Sequence, residues 1–154
     1  QRRSGRAMFR RDNADARAAV EAGADAVFIS NHGGRNLDSE PGTIELLEEI
    51  KAEVGDEVAV LLDGGVRSAT DVAIALGLGA DAVGIGSPIV WALAAGGEDT
   101  LRGYLDDIVE SLRRTFGLMG ISRVSQLTRE YVSRRDEFVP DWALASFLPP
   151  RFES

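Results

Sequence analysis

The stretch Ser30-Asn31-His32-Gly33-Gly34-Arg35 holds the chain's single histidine, two adjacent glycines and a guanidinium within six residues. Imidazole changes charge near neutrality, so a histidine can accept a proton at pH 7. A guanidinium grips a carboxylate at two points and fixes its orientation. Glycines between them allow left-handed backbone and close approach of a ligand. These residue types together suit proton abstraction from an anionic substrate. Two further stretches suit an anion. Asp63-Gly64-Gly65-Val66-Arg67 and Gly84-Ile85-Gly86-Ser87-Pro88 are glycine-rich and lie just before candidate helix starts. Backbone N–H groups in such places bind phosphate, and Arg67 can add charge to the same anion. Taken singly, each feature has a bland alternative: a structural histidine, an ordinary Gly-Gly turn, a surface arginine, Asp63 as a cap. No spacing of metal-ligating side chains appears, and cysteine is absent.

Each of these stretches follows an apolar run. "GADAVFIS" (23–30), "EVAVLLD" (57–63) and "ADAVGIG" (80–86) read as short buried strands, almost continuously apolar as in parallel sheets. Helices alternate with them. The spacing predicts one over 13–22, with Ala16, Ala19 and Val20 on one face and Asp12 or Asn13 as cap. A second covers 43–55, with Ile44, Leu47 and Ile50 inward and Gly55 ending it; a third covers 68–79, capped by Ser68 or Thr70. The alternation is the α/β arrangement with right-handed crossovers. "GADAV" recurs at 23–27 and 79–83, each time between a helix end and a strand. Units of roughly 30 residues suit a (β/α)8 barrel, whose full length is about 250 residues. The expected fold is therefore α/β: three parallel strands forming the last part of a TIM barrel, or else a small open sheet. In such barrels function gathers at the C-terminal strand ends, where all three loops fall.

Beyond residue 88, "VWALAAGG" reads as a short helix and 98–120 as a long amphipathic one. Leu101, Leu105, Ile108, Leu112 and Phe116 share its apolar face, and Gly117 or Gly120 can end it. "SRVSQLTRE" adds a further turn. Trp91 is expected in the core. Residues 129–154 read as an extended tail, with Trp142 as a docking anchor. The acidic set Glu48, Glu49, Glu53, Asp56 and Glu57 reads as a solvated face.

Bulk properties narrow the function. The chain has 154 residues, enough for one domain or a piece of a larger one, and 44% hydrophobic residues, enough for a core. A net charge of −8 argues against a nucleic-acid partner. No run approaches the roughly 20 apolar residues of a membrane span, and no signal peptide opens the chain, so the expected location is the cytoplasm. The basic opening "QRRSGRAMFRR" departs from the acidic remainder, and residues 1–12 are expected to be an atypical start.

The segments "SNHGGRNLD", "LLDGGVRSATDVAIALGLGADAVGIGSP" and "LRGYLDDIVESLRRTFGLMGISRVSQL" resemble the FMN-dependent α-hydroxy acid oxidases and dehydrogenases, of the glycolate oxidase and L-lactate dehydrogenase type. The likeness covers roughly residues 15 to 128, and the order and spacing of the first two segments are highly specific. It implies His32 as active-site base and Arg35 as carboxylate ligand. It implies Ser30 at the flavin, and Asp63, Gly64, Gly65, Val66, Arg67, Gly86 and Ser87 around the FMN ribityl phosphate. The implied reaction oxidises a small (S)-2-hydroxy acid to the 2-oxo acid and passes electrons to oxygen, a quinone or another carrier. Whether the proton leaves the hydroxyl, with hydride transfer, or the α-carbon, with a carbanion, is left open by the residues. Three departures stand out: Ser87 replaces the family's arginine, Met8 falls where the family has a lysine, and the family's N-terminal half has no counterpart. The chain is thus expected to be the C-terminal part of such an enzyme (1–128), self-associating or pairing with the missing half. The alternatives are a non-catalytic half-barrel and another phosphate-binding barrel such as type 2 isopentenyl diphosphate isomerase or an IMP dehydrogenase relative.

Overall fold

A computed structural model describes residues 6–9, 13–36, 39 and 41–133, with side chains from Ala14 onward. Four parallel strands lie side by side in chain order: β1 (Arg6–Phe9), β2 (Ala26–Ile29), β3 (Ala59–Leu62) and β4 (Ala82–Val83). Helices α1 (Asn13–Glu21), α2 (Thr43–Val54) and α3 (Ala69–Gly77) fill the successive connections, and α4 (Ser87–Met119) follows β4. A parallel sheet that never reverses its strand order is a barrel segment, because a doubly wound sheet switches direction partway. The three expected strands are present. The fourth, β1, lies inside the stretch expected to be an atypical start, and its register places Met8 opposite Phe28. Four residues that begin with Arg6 and are followed by two more arginines carry too little apolar periodicity to announce a strand; pairing with β2 makes one.

The core lies between sheet and helices. Val27 and Ile29 on β2 and Val60 and Leu62 on β3 are buried against Ala16, Leu47, Ile50 and Val54. Strand side chains alternate between faces, so Phe28 and Leu61 point to the other side, where they are only half-buried. On α2 the buried row is Thr43, Leu47, Ile50 and Val54. Ile44, expected inward, lies beside that row and is 36% exposed. Gly23 and Gly79, the first residues of the repeated pentapeptide, both take left-handed backbone at a helix end (φ 89° and 105°). The repeat is thus one local device, a helix stop feeding a strand, used twice.

Ser68, rather than Thr70, caps α3: its Oγ accepts from Asp71 N, and the Asp71 carboxylate accepts from Ser68 N. α4 is two helices in one span. Gly97, at φ 71° and ψ −153°, adopts backbone open essentially only to glycine and separates the short helix from the long one. Gly120 ends the long helix in left-handed conformation. Phe116, Leu112 and Met119 pack with Ala73, Leu76, Ile121 and Leu127 in a second cluster between α3 and α4. Leu105, expected on that face, is exposed. The turn expected in "SRVSQLTRE" is a 3-10 turn at Val124–Gln126, and a second follows at Arg129–Tyr131, tied to α2 by Arg129 Nε to Glu48 Oε1 at 2.6 Å. Gly77 lets this segment lie on α3, since a Cβ there would stand 2.8 Å from Val132 Cγ2. Trp142 and most of the expected tail lie outside the described residues, as does Asp12. Among the described residues, no helix is long and apolar enough to cross a membrane.

Candidate active site

Parallel strands in register bring their C-terminal ends to one rim, and the loops leaving β2, β3 and β4 enclose a cavity of about 740 Å³ there. It is lined by every expected site residue: Ser30, His32 and Arg35 after β2; Asp63, Gly64, Gly65, Val66 and Arg67 after β3; Gly86 and Ser87 after β4. Some 55 residues of chain separate His32 from Ser87, and only the sheet joins them.

The first loop is built around left-handed backbone. Asn31 Oδ1 accepts from Gly33 N at 3.0 Å, and Ser30 Oγ accepts from His32 N at 3.2 Å. His32, Gly33 and Gly34 follow at φ 54°, 69° and 74°. His32 is the one non-glycine residue with positive φ among the described residues. That conformation costs an ordinary residue roughly 1–2 kcal/mol, and such strain concentrates where a side chain must be aimed. Both His32 and Arg35 are exposed to the cavity, whereas Ser30 is buried. The Ser30 hydroxyl holds the histidine turn as well as edging the cavity.

The second loop is fixed from below. Asp63 N donates to Ile29 O, extending the β2–β3 ladder by one residue. The buried Thr43 Oγ1 donates towards Asp63 O (2.5 Å) and Gly64 O (3.2 Å). Gly64 (φ 88°) has no room for a side chain: a Cβ would stand 2.6 Å from Asn31 Oδ1 and 3.2 Å from Thr43 Oγ1. The first two loops are thus packed on each other through Asn31. At Gly65 (φ 81°) nothing lies within 4 Å of the Cβ position, so the main chain there is open to a ligand. The Val66 side chain belongs to the core, which leaves its backbone for the cavity. Arg67 N donates to Asp71 Oδ2 and Arg67 O accepts from Tyr104 Oη at 3.1 Å. Burial, helped by the Asp71 carboxylate, raises the Tyr104 hydroxyl above the usual tyrosine range, so it stays a donor.

The third loop runs into α4 at Gly86, with Pro88 in its first turn and no side-chain cap. The positive helix end therefore faces the cavity with its first N–H groups uncapped by any side chain. Gly84, counted on this rim by the sequence, serves packing instead: a Cβ there would stand 3.1 Å from Asp63 Cβ. Trp91 is the main correction. Expected in the core, it is 57% exposed and lines the cavity with Val90 and Pro88. Helical periodicity places Trp91 one turn beyond Ser87 but cannot say that this turn borders a cavity. Thr43 and Tyr104 were equally unannounced, as single hydroxyls on amphipathic helices. Among the described residues, no three His, Asp or Glu side chains gather as a metal site requires.

An open glycine main chain, an uncapped helix end and a guanidinium with no ion pair among the described residues suit a phosphate. A histidine and a second guanidinium lining the same cavity suit an acid substrate. The family model described as FMN-dependent dehydrogenase matches residues 11–134. A peroxisomal (S)-2-hydroxyacid oxidase of Arabidopsis thaliana is 48% identical over 123 residues, covering 80% of this chain and 34% of the relative. A 4-hydroxymandelate oxidase of Amycolatopsis orientalis is 49% identical over 115 residues, covering 75% of this chain and 32% of the relative. A crystal structure of mandelate oxidase superposes with a TM-score of 0.76 at 45% identity, over 79% of this chain and 37% of that one. The chain thus spans about a third of the length of the relatives it matches. With the match running through all three loops and both packed clusters, the chain belongs to the FMN-dependent dehydrogenase family.

Proposed function

We propose that the chain provides the proton-accepting base, the substrate clamp and the FMN phosphate cradle for oxidation of a small (S)-2-hydroxy acid to the 2-oxo acid. The observation that carries this is that His32 and Arg35 line the same cavity as Gly65, Arg67, Gly86 and Ser87. Relatives named as 2-hydroxyacid and 4-hydroxymandelate oxidases support the substrate class and favour oxygen as electron acceptor. The residues fit FMN: open glycine backbone, a helix N-terminus and a guanidinium for the ribityl phosphate, with Asp63 beside them, and Ser30 for the flavin. Bound FMN would supply the two-electron oxidant. Arg35 holds the substrate carboxylate through its fork and so sets which hydrogen faces the base. His32 takes the proton, its backbone turn fixing the direction from which it approaches. The cytoplasm remains our proposed location, although two of the relatives are named as peroxisomal.

Two measurements test the reading. Flavin fluorescence titrated with the chain should report FMN binding that weakens with salt. With the remaining barrel of a relative supplied in trans, 2-hydroxy acids should reduce an electron-accepting dye. His32→Ala should then abolish reduction while FMN stays bound; full activity in that variant would remove His32 from the chemistry. A second reading, a non-catalytic half-barrel that pairs with another copy or another chain, is favoured by the open edges of the sheet. It predicts pairing without FMN binding.

A further inference from the structure

The main chain of Arg67 is held from both sides, by the Asp71 carboxylate at its N–H and by the Tyr104 hydroxyl at its carbonyl. Its guanidinium makes no ion pair among the described residues. That group lies over the Trp91 ring, 6.0 Å from the ring centroid. Trp91 comes from α4 and Arg67 from the loop after β3, and both line the cavity. A tryptophan 57% exposed on a cavity rim is not explained by core packing. An aromatic ring engages the planar face of a guanidinium and leaves its N–H edges to an anion.

We propose that Trp91 is a positioning residue that holds the Arg67 guanidinium ready for the phosphate of the cofactor, while Asp71 and Tyr104 fix the backbone from which the arginine projects. This rests on reading Arg67 as a phosphate ligand. An arginine side chain is rotamer-rich, and restraining it before the anion arrives lowers the entropy lost on binding. At an exposed site such a contact corresponds to about two- to fivefold in affinity.

Fluorescence titrations of the 154-residue chain with FMN, and with riboflavin as the phosphate-free control, test this. Arg67→Gln should weaken FMN about ten- to a hundredfold, the range for a charged hydrogen bond, and leave riboflavin unchanged. Trp91→Leu should weaken FMN about two- to fivefold, and Trp91→Phe should restore most of that loss. Combined with Arg67→Gln, Trp91→Leu should cost nothing further, since the group it positions is gone. An equal loss from Trp91→Leu with or without Arg67→Gln, or an equal loss for riboflavin, would overturn the positioning role while sparing the phosphate reading. No FMN binding by the chain, or none lost in Arg67→Gln, would overturn the phosphate reading and this inference with it.

Discussion

At the scale of single residues, conformation and chemistry meet at His32. Alanine tolerates the left-handed backbone somewhat less well than histidine, so His32→Ala should melt only slightly below the parent temperature, and a loss of turnover without unfolding is chemical in origin. His32→Val should unfold more readily by about 1 kcal/mol, because a branched Cβ tolerates that backbone least; thermal melts of the two variants separate these effects. Arg35→Lys should raise the substrate KM more than it lowers kcat, because a point charge keeps attraction but loses the two-point grip. Ser87 stands at the start of α4 with a hydroxyl and no charge. Ser87→Arg should tighten FMN by roughly 1.5–3 kcal/mol, read by flavin titration. Unchanged affinity would place Ser87 out of reach of the phosphate.

At the scale of elements, the site depends on two loops resting on each other. Asn31 closes the His32 turn and also fills the space beside Gly64, while Thr43 on α2 ties down the carbonyls of Asp63 and Gly64. Gly64→Ala therefore meets both a positive φ and the Asn31 carboxamide. It should cost about 1–3 kcal/mol of stability, measured by denaturant melts, and should weaken flavin binding as well. Ser68→Ala makes the contrast: loss of the capping box should cost about 0.5–2 kcal/mol with FMN affinity nearly intact, because the cap lies behind the Arg67 backbone rather than at the cavity. Equal effects of both variants on FMN would mean that the loops are not independently seated.

At the scale of the molecule, the sheet is open. Its strands run β1 to β4 without closing, and the face carrying Phe28 and Leu61 is only half-covered. Parallel edges with unpaired N–H and C=O groups are sites for pairing, and an apolar face seeks cover. The chain by itself should therefore self-associate in size-exclusion chromatography. It should also lose FMN during the run and oxidise neither glycolate nor lactate in a dye-reduction assay. A monomer that keeps its flavin and turns over lactate would show that four strands suffice for the whole site.

Much of this molecule was legible from local pattern. Apolar runs between glycine stops announce β2, β3 and β4, and the repeated "GADAV" marks the same helix-to-strand turn twice. The Gly96–Gly97 break and the cap at Ser68 are likewise short-range, because backbone permission and capping involve neighbours only. The loop residues of the cavity were also named from sequence, since barrel geometry requires loops at strand ends to share a rim. Tertiary structure alone decided the rest. β1 is a strand only because β2 offers a partner; its four residues have no pattern of their own. Trp91, Leu105 and Ile44 have the spacing of core residues, yet periodicity cannot tell a helix face that meets the sheet from one that borders a cavity or solvent. Thr43 under the second loop and Tyr104 behind Arg67 act across 20 and 37 residues of chain. Such contacts depend on how helices pack, and no window of sequence contains both partners.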